Sequence, residues 1–199
     1  MQKKNIKLKT PKDELVKKYV SKFKADKRYY LADQAIFNLI KKFPDNKRFE
    51  DILLKVVVIN RLYSTGIYNV NKMAEHIKNL NIDKAISRGD LDAIEKISTG
   101  HGINRKFYSF ATKYCSFHNL SEYPIYDSFV EKLLVAYKKQ ESELFNFESK
   151  DLGNYKRFKD VLMKFRKRFN LSCSLKELDK FLFIYGGEKF PRRYKKSII

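Results

Sequence analysis

Apolar residues recur at three- and four-residue spacing along almost the whole chain, a pattern that predicts helices. Val16, Tyr19, Val20 and Phe23 follow Thr10-Pro11-Lys12-Asp13-Glu14, a start with a capping hydroxyl, a first-position proline and acids in the first turn. Ala32, Ile36, Leu39, Ile40 and Phe43 mark a second helix that stops at Pro44. The third, over 47–63, carries Phe49, Ile52, Leu53, Val56, Val57 and Asn60. It is apolar on most faces, so it is expected to be the buried central helix, ended by Gly66. Shorter helices are predicted over 71–80, 83–88 and 90–97, the last two separated at Gly89. A glycine turn at 98–103 leads into a helix over 104–118 with Phe107, Phe110, Ala111, Tyr114 and Cys115. Pro124 breaks the chain, and Asp127 or Ser128 caps a helix carrying Phe129, Leu133, Leu134 and Tyr137. The polar stretch 139–150 reads as a linker. A long helix over 152–169 follows, with Tyr155, Phe158, Leu162, Phe165 and Phe169. Ser174 and Glu177 form a capping box for the last helix, which shows Leu178, Phe181, Leu182 and Tyr185 and is expected to end at Gly186-Gly187. Period-two alternation is nowhere sustained, so the class is all-α. Residues 1–199 read as one domain with basic tails at 1–9 and 188–199.

Charge narrows the class of partner. The 199 residues hold 43 Lys and Arg against 23 Asp and Glu, a formal net charge of +20. Such an excess opposes compaction through self-repulsion, and a polyanion partner is the simplest reason to keep it. Duplex DNA is the expected partner, with RNA permitted by charge alone. Apolar runs such as Val56-Val57-Val58-Ile59 are too short to span a bilayer, and Met1-Gln2-Lys3-Lys4-Asn5 lacks the apolar core of a secretory signal. A cytoplasmic, nucleoid-associated monomer with no membrane association and no obligate protein partner is expected. Cys115 and Cys173 form no C-x-x-C pair, and His76, His101 and His118 are scattered, so no metal site or other cofactor is expected.

The chemically informative stretch runs from Ile97 to Val130. Gly100 and Gly102 flank one residue between two helices, a turn able to present backbone N–H groups to a phosphate, with Asn104 and Arg105 next to it. An ordinary helix–helix connection has the same composition. Lys113 lies on the following helix, at or near the edge of the stripe formed by Phe110, Ala111 and Tyr114. A lysine held against apolar surface has its ammonium form disfavoured and becomes a usable nucleophile. Asp127 begins the next helix, after a loop that can fold back toward Lys113. It is either a simple cap or a carboxylate that manages protons or steadies cationic charge on a sugar.

Gly100-His101-Gly102-Ile103, Phe110-Ala111-Thr112-Lys113 and Tyr123-Pro124-Ile125-Tyr126-Asp127 together resemble the helix–hairpin–helix DNA glycosylases, nearest to the group like 8-oxoguanine DNA glycosylase. The similarity covers about a sixth of the chain. Ser98-Thr99 stands where that family usually carries Leu-Pro, and the cysteine cluster of some members is absent. The resemblance implies a helical bundle of two closely packed lobes. It implies a hairpin at Gly100 and Gly102 that grips the DNA backbone, Lys113 as the nucleophile toward the sugar C1′ of a flipped nucleotide such as an oxidised purine, and Asp127 as its assistant. AP lyase activity is a branch of the same chemistry. Tyr155, Phe158, Phe181 and Tyr185 are candidates for a base pocket, although their spacing also suits the core. The alternative from a different class is a non-catalytic DNA-binding module of the same fold, serving genome or phage defence. A ribosome-associated or RNA-binding role is the third reading.

Overall fold

The computed structural model describes residues 7–100, 105–141 and 146–191. Among them are ten α-helices and no strand. In chain order they are α1 (Asp13–Ala25), α2 (Lys27–Lys42), α3 (Phe49–Tyr63), α4 (Val70–Leu80), α5 (Asp83–Ser87), α6 (Asp92–Ser98), α7 (Tyr108–His118) and α8 (Ser128–Gln140). A 3-10 turn (Ser149–Gly153) then leads into α9 (Tyr155–Arg168) and α10 (Leu175–Lys189). The all-α expectation holds. No helix among the described residues is long and apolar enough to cross a membrane.

The helices pack in two groups that share one continuous core. α1 lies along α10, α10 lies on α8, and the 3-10 turn joins α8 to α9. On the other side α3 packs on α4, α4 on α6, and α6 on α7. The chain's first and last helices are thus neighbours. Val16, Tyr19, Val20 and Phe23 on one stripe of α1 are buried, and burial of each side chain of this size contributes about 1.5–3 kcal/mol. Gly186 lets α10 approach α8. A Cβ there would stand 2.6 Å from the Phe129 carbonyl oxygen.

Several boundaries differ from the pattern, each for a local reason. α1 has Lys12, not Thr10, at its N-cap, without a side-chain cap bond. Gly186-Gly187 does not stop the last helix, because Gly186 serves the contact with Phe129 and α10 runs on to Lys189. Glu188 is therefore helical rather than the start of a tail. At the other end Leu8 is buried and its backbone N–H donates to Gln140, and the Lys9 N–H donates to the Tyr185 hydroxyl, so residues 8 and 9 pack as well. The 139–150 stretch is no plain linker, since α8 extends to Gln140 and Phe147 enters the core. The capping box Ser174/Glu177 forms as expected.

The main correction concerns the centre of the fold. α3 buries Ile52, Lys55, Val56 and Ile59 but leaves Leu54, Val57 and Leu62 exposed. The central helix is α7, in which every residue from Phe110 to Phe117 is buried and which α2, α3, α5 and α6 all touch. Apolar content measures how much of a helix can be buried. Only the arrangement of its neighbours decides how much is.

Lys55 is wholly buried at the α2–α3 corner. Its ammonium donates to Asp45 O (2.6 Å), Asn46 Oδ1 (2.7 Å) and Phe43 O (3.2 Å). The Tyr114 hydroxyl also donates to Asn46 Oδ1, and Asn46 in turn donates to Asp83 from its backbone N–H and its amide. One lysine thus closes the turn after α2 and ties it to α5 and α7. Burial pulls the Lys55 ammonium down to about 8, against the upward pull of Asp83, Asp45 and Asp51. Lys55→Ala leaves two carbonyls and an amide oxygen short of a donor and opens a cavity. A loss of about 3 kcal/mol in urea unfolding is expected. A loss below roughly 0.5 kcal/mol, the range of ordinary surface changes, would contradict this role.

Candidate functional site

A cleft of about 770 Å³ opens between the two helix groups. Its walls come from α1, α2, the C-terminal end of α3, α7, the start of α8 and α10. Phe23, Tyr29, Phe129 and Phe183 line it as a connected set, Tyr29 and Phe129 each meeting Phe183 edge-on and Phe23 stacking on Tyr29. The described walls also carry five cations (Lys22, Arg28, Lys113, Lys176 and Lys180) and five carboxylates (Asp26, Asp33, Asp127, Asp179 and Glu188). In a chain of 43 cations and 23 anions this local balance is unusual. Where these cations and carboxylates stay paired with one another, the wall suits a neutral, hydrogen-bonding group.

Lys113 and Asp127 meet at the floor of this cleft. Lys113 is only 2% exposed. Its ammonium donates to Ser109 Oγ (2.6 Å), Tyr126 O (3.1 Å) and Ser109 O (3.3 Å), and lies 3.9 Å from Asp127 Oδ2. The Tyr63 ring centroid is 5.5 Å from it. The lysine expected at the edge of an apolar stripe is therefore enclosed, with oxygens on one side and an aromatic face on the other. Helical spacing explains the Ser109 contact, since positions four apart stack on one face. Thr112 completes the clamp by accepting from the Tyr126 N–H (3.2 Å). Through these three α7 residues the segment before α8 is pinned to α7. Asp127 caps α8 by accepting from the Phe129 N–H (2.9 Å) while facing Lys113. The cap reading of Asp127 holds, and the same carboxylate stands beside the Lys113 ammonium.

Two further carboxylates stand in the cleft. Asp33 on α2 accepts from the Tyr63 hydroxyl (3.2 Å) and pairs with Lys176 (3.2 Å) and Lys180 (3.3 Å) on α10. Asp179 on α10 accepts from the Ile125 N–H (3.0 Å) through one oxygen, and its other oxygen is buried without a hydrogen-bond partner. Burial pushes the Asp179 carboxyl up to about 7, against the pull of Lys176, the Ile125 N–H and Lys113. Sequence reasoning missed both residues. The signal was present: Asp33 falls in register with Ile36 and Ile40, and Asp179 with Leu175 and Leu182, so each places a carboxylate on an apolar stripe.

The remaining candidates are placed differently. Tyr155, Phe158, Phe181 and Tyr185 belong to the core and do not line the cleft. Gly100 is buried, and a Cβ there would meet the His76 ring at 1.8 Å, so the absence of a side chain serves a close approach to α4. Arg105 is exposed and stacks over Phe107 at 5.5 Å. Gly102 and Asn104 lie outside the described residues. Lys106, two residues before α7, is exposed and paired with Glu95, and it does not line the cleft. Among the described residues no group of histidine, cysteine and carboxylate side chains is arranged to hold a metal.

The fold and cleft define an all-helical protein with a buried lysine–carboxylate centre. The N-terminal domain family HI_0787_N matches residues 15–124, more than half of the chain, and the chain belongs to that family. An uncharacterized protein of Haemophilus influenzae is 41% identical over 151 residues, covering 74% of this chain and 72% of that protein. No solved structure matches the chain. The matched segment carries Asp33, Tyr63 and Lys113 and stops short of Asp127, Lys176 and Asp179.

The Asp179 carboxyl gives a pH prediction. Its folded value of about 7 lies above the ordinary 3.8, so between these values the folded protein holds a proton that the unfolded chain releases. Its contribution to stability therefore falls as pH rises from 3.8 to 7. Asp179→Asn keeps an acceptor for the Ile125 N–H and removes the titration. Relative to wild type, the variant is expected to gain stability between pH 4.5 and 7.5 in paired urea melts. A difference independent of pH would contradict the assignment.

Proposed function

We propose that this protein binds duplex DNA and acts on a nucleotide turned out into the cleft, as a base-excision glycosylase with Lys113 as nucleophile. The observation that carries the reading is the meeting of Lys113 and Asp127 at the floor of an aromatic-walled, charge-balanced cleft. A base must leave the stack before its glycosidic bond is reachable, and a flat neutral ring suits walls of this kind. The Lys113 amine bonds to the sugar C1′ as the C1′–N bond to the base breaks. The base leaves with that electron pair and takes up a proton, and the amine gives up a proton, with Asp127 placed to steady the cationic sugar. Ring opening gives an imine, which borohydride reduces to a stable link and which otherwise permits strand cleavage as in an AP lyase. No metal is required in these steps. The glycosylase-like arrangement of two helical lobes and the backbone contacts at Gly100, Gly102, Asn104 and Arg105 belong to the same proposal.

A second reading, a non-catalytic DNA-binding module of this fold, is favoured by one observation: Lys113 is almost inaccessible in this conformation.

Two measurements test the proposal. Lys113→Gln is expected to abolish base excision and borohydride trapping while duplex affinity changes a few-fold at most, because binding draws on many cations and chemistry on one amine. Full activity in the variant would remove Lys113 from the mechanism. Wild-type duplex affinity is expected to fall on the order of a hundredfold between 50 and 200 mM salt if about four phosphates are contacted. A salt-independent affinity would exclude phosphate contacts as its main source.

A further inference from the structure

Lys113 lines the cleft and yet is covered. The cover is traceable. The Tyr63 ring sits 5.5 Å from the Lys113 ammonium, and the Tyr63 hydroxyl donates to Asp33. Asp33 is itself gripped from α10 by Lys176 and Lys180, one helical turn apart. Each of these lysines also rests on an aromatic face, Lys176 on Phe117 at 4.5 Å and Lys180 on Phe23 at 4.7 Å. Tyr63 is the last residue of α3, and Ser64 after it takes a left-handed conformation. The ring therefore hangs from a helix end rather than from a helix interior, where a small backbone change swings it.

The chain of contacts has a weak point. One buried carboxylate serves two ammonium groups and one phenol. A phosphate-class oxyanion offers more acceptor oxygens than a carboxylate and makes strong charge-assisted bonds to lysine. Once it takes Lys176 and Lys180, Asp33 loses the cations that fix it and is repelled by the incoming anion, and the Tyr63 phenol bonded to it is drawn away from Lys113.

We propose that Lys176 and Lys180 form an oxyanion subsite of the phosphodiester class, and that its occupation releases the Asp33–Tyr63 latch and uncovers Lys113. Asp33 fills the subsite in its closed state. Tyr63 and Asp33 are positioning residues that act through Lys113. The inference rests on reading Lys113 as a working amine, and it accounts for a nucleophile that is shut away until a backbone phosphate arrives.

The test reads the amine directly and needs neither DNA nor turnover, so it is separable from the glycosylase proposal. Intact protein is pulse-labelled by reductive methylation, and modification of Lys113 and Lys55 is quantified by peptide mass spectrometry. Lys55, wholly buried and held by Phe43, Asp45 and Asn46 rather than by the latch, reports general loosening. Tyr63→Phe and Asp33→Asn are each expected to raise Lys113 labelling severalfold with Lys55 unchanged. In wild type, dimethyl phosphate, which mimics a diester of the nucleic-acid backbone, is expected to raise Lys113 labelling above chloride at equal ionic strength. Inorganic phosphate serves as the second arm. A response to dimethyl phosphate supports the subsite, and a response to inorganic phosphate alone overturns its phosphodiester class. Labelling of Lys113 that stays flat in both variants, that rises only together with Lys55, or that ignores both anions overturns the proposal.

Discussion

The site depends on how one ammonium group is housed. Lys113 projects from the most deeply buried helix of the fold, and its charge is met by oxygens from two places: Ser109 one turn earlier on α7, and the Tyr126 carbonyl with the Asp127 carboxylate at the entry to α8. A buried ammonium without such partners costs several kcal/mol, so the contacts hold the chain as firmly as they hold the charge. They bring the 119–127 segment back onto α7 and fix where α8 begins. The Ile125 N–H extends the same arrangement to Asp179, which attaches α10. α7, α8 and α10 thus meet at one point, and that point is the floor of the cleft.

Around it, charge is distributed in two regimes. Over the whole chain cations outnumber anions by 43 to 23, while the described walls of the cleft are balanced five to five. An outer surface of excess cations suits a polyanion, and an inner surface of matched charges and aromatic rings suits a neutral ring. A nucleic acid that sends one base inward, with the adjoining phosphodiester reaching Lys176 and Lys180 on the cleft wall, meets both conditions. The same division explains why a single-residue change at the floor and a change of salt are expected to affect different steps.

The helical class, the capping box at Ser174 and the cap at Asp127 were legible because each depends on neighbours in sequence. The pairing of Lys113 with Asp127 was legible only in part. Spacing brought the two residues within range, but the aromatic face over Lys113 comes from Tyr63, fifty positions earlier in the chain. The role of Gly186 was misread because a glycine at a helix–helix contact and a glycine at a helix end have the same one-residue signature. α3 was misplaced at the centre because its apolar residues, Leu54, Val57 and Leu62 among them, exceed what its neighbours cover. Asp33 and Asp179 went unnoticed although each interrupts an apolar stripe. A charged residue in such a register marks either a surface edge or a buried partner, and only the α2–α10 juxtaposition decides between them.

The central claim is that the amine at the floor of the cleft does chemistry on DNA. It is tested most directly by incubating wild-type protein with duplexes carrying different oxidised or abasic lesions in the presence of borohydride, then mapping the linked peptide by mass spectrometry. The account predicts a covalent adduct on at least one lesion, carried by Lys113. An adduct on Lys106 or another surface lysine, or no adduct on any duplex that the protein demonstrably binds, would contradict it.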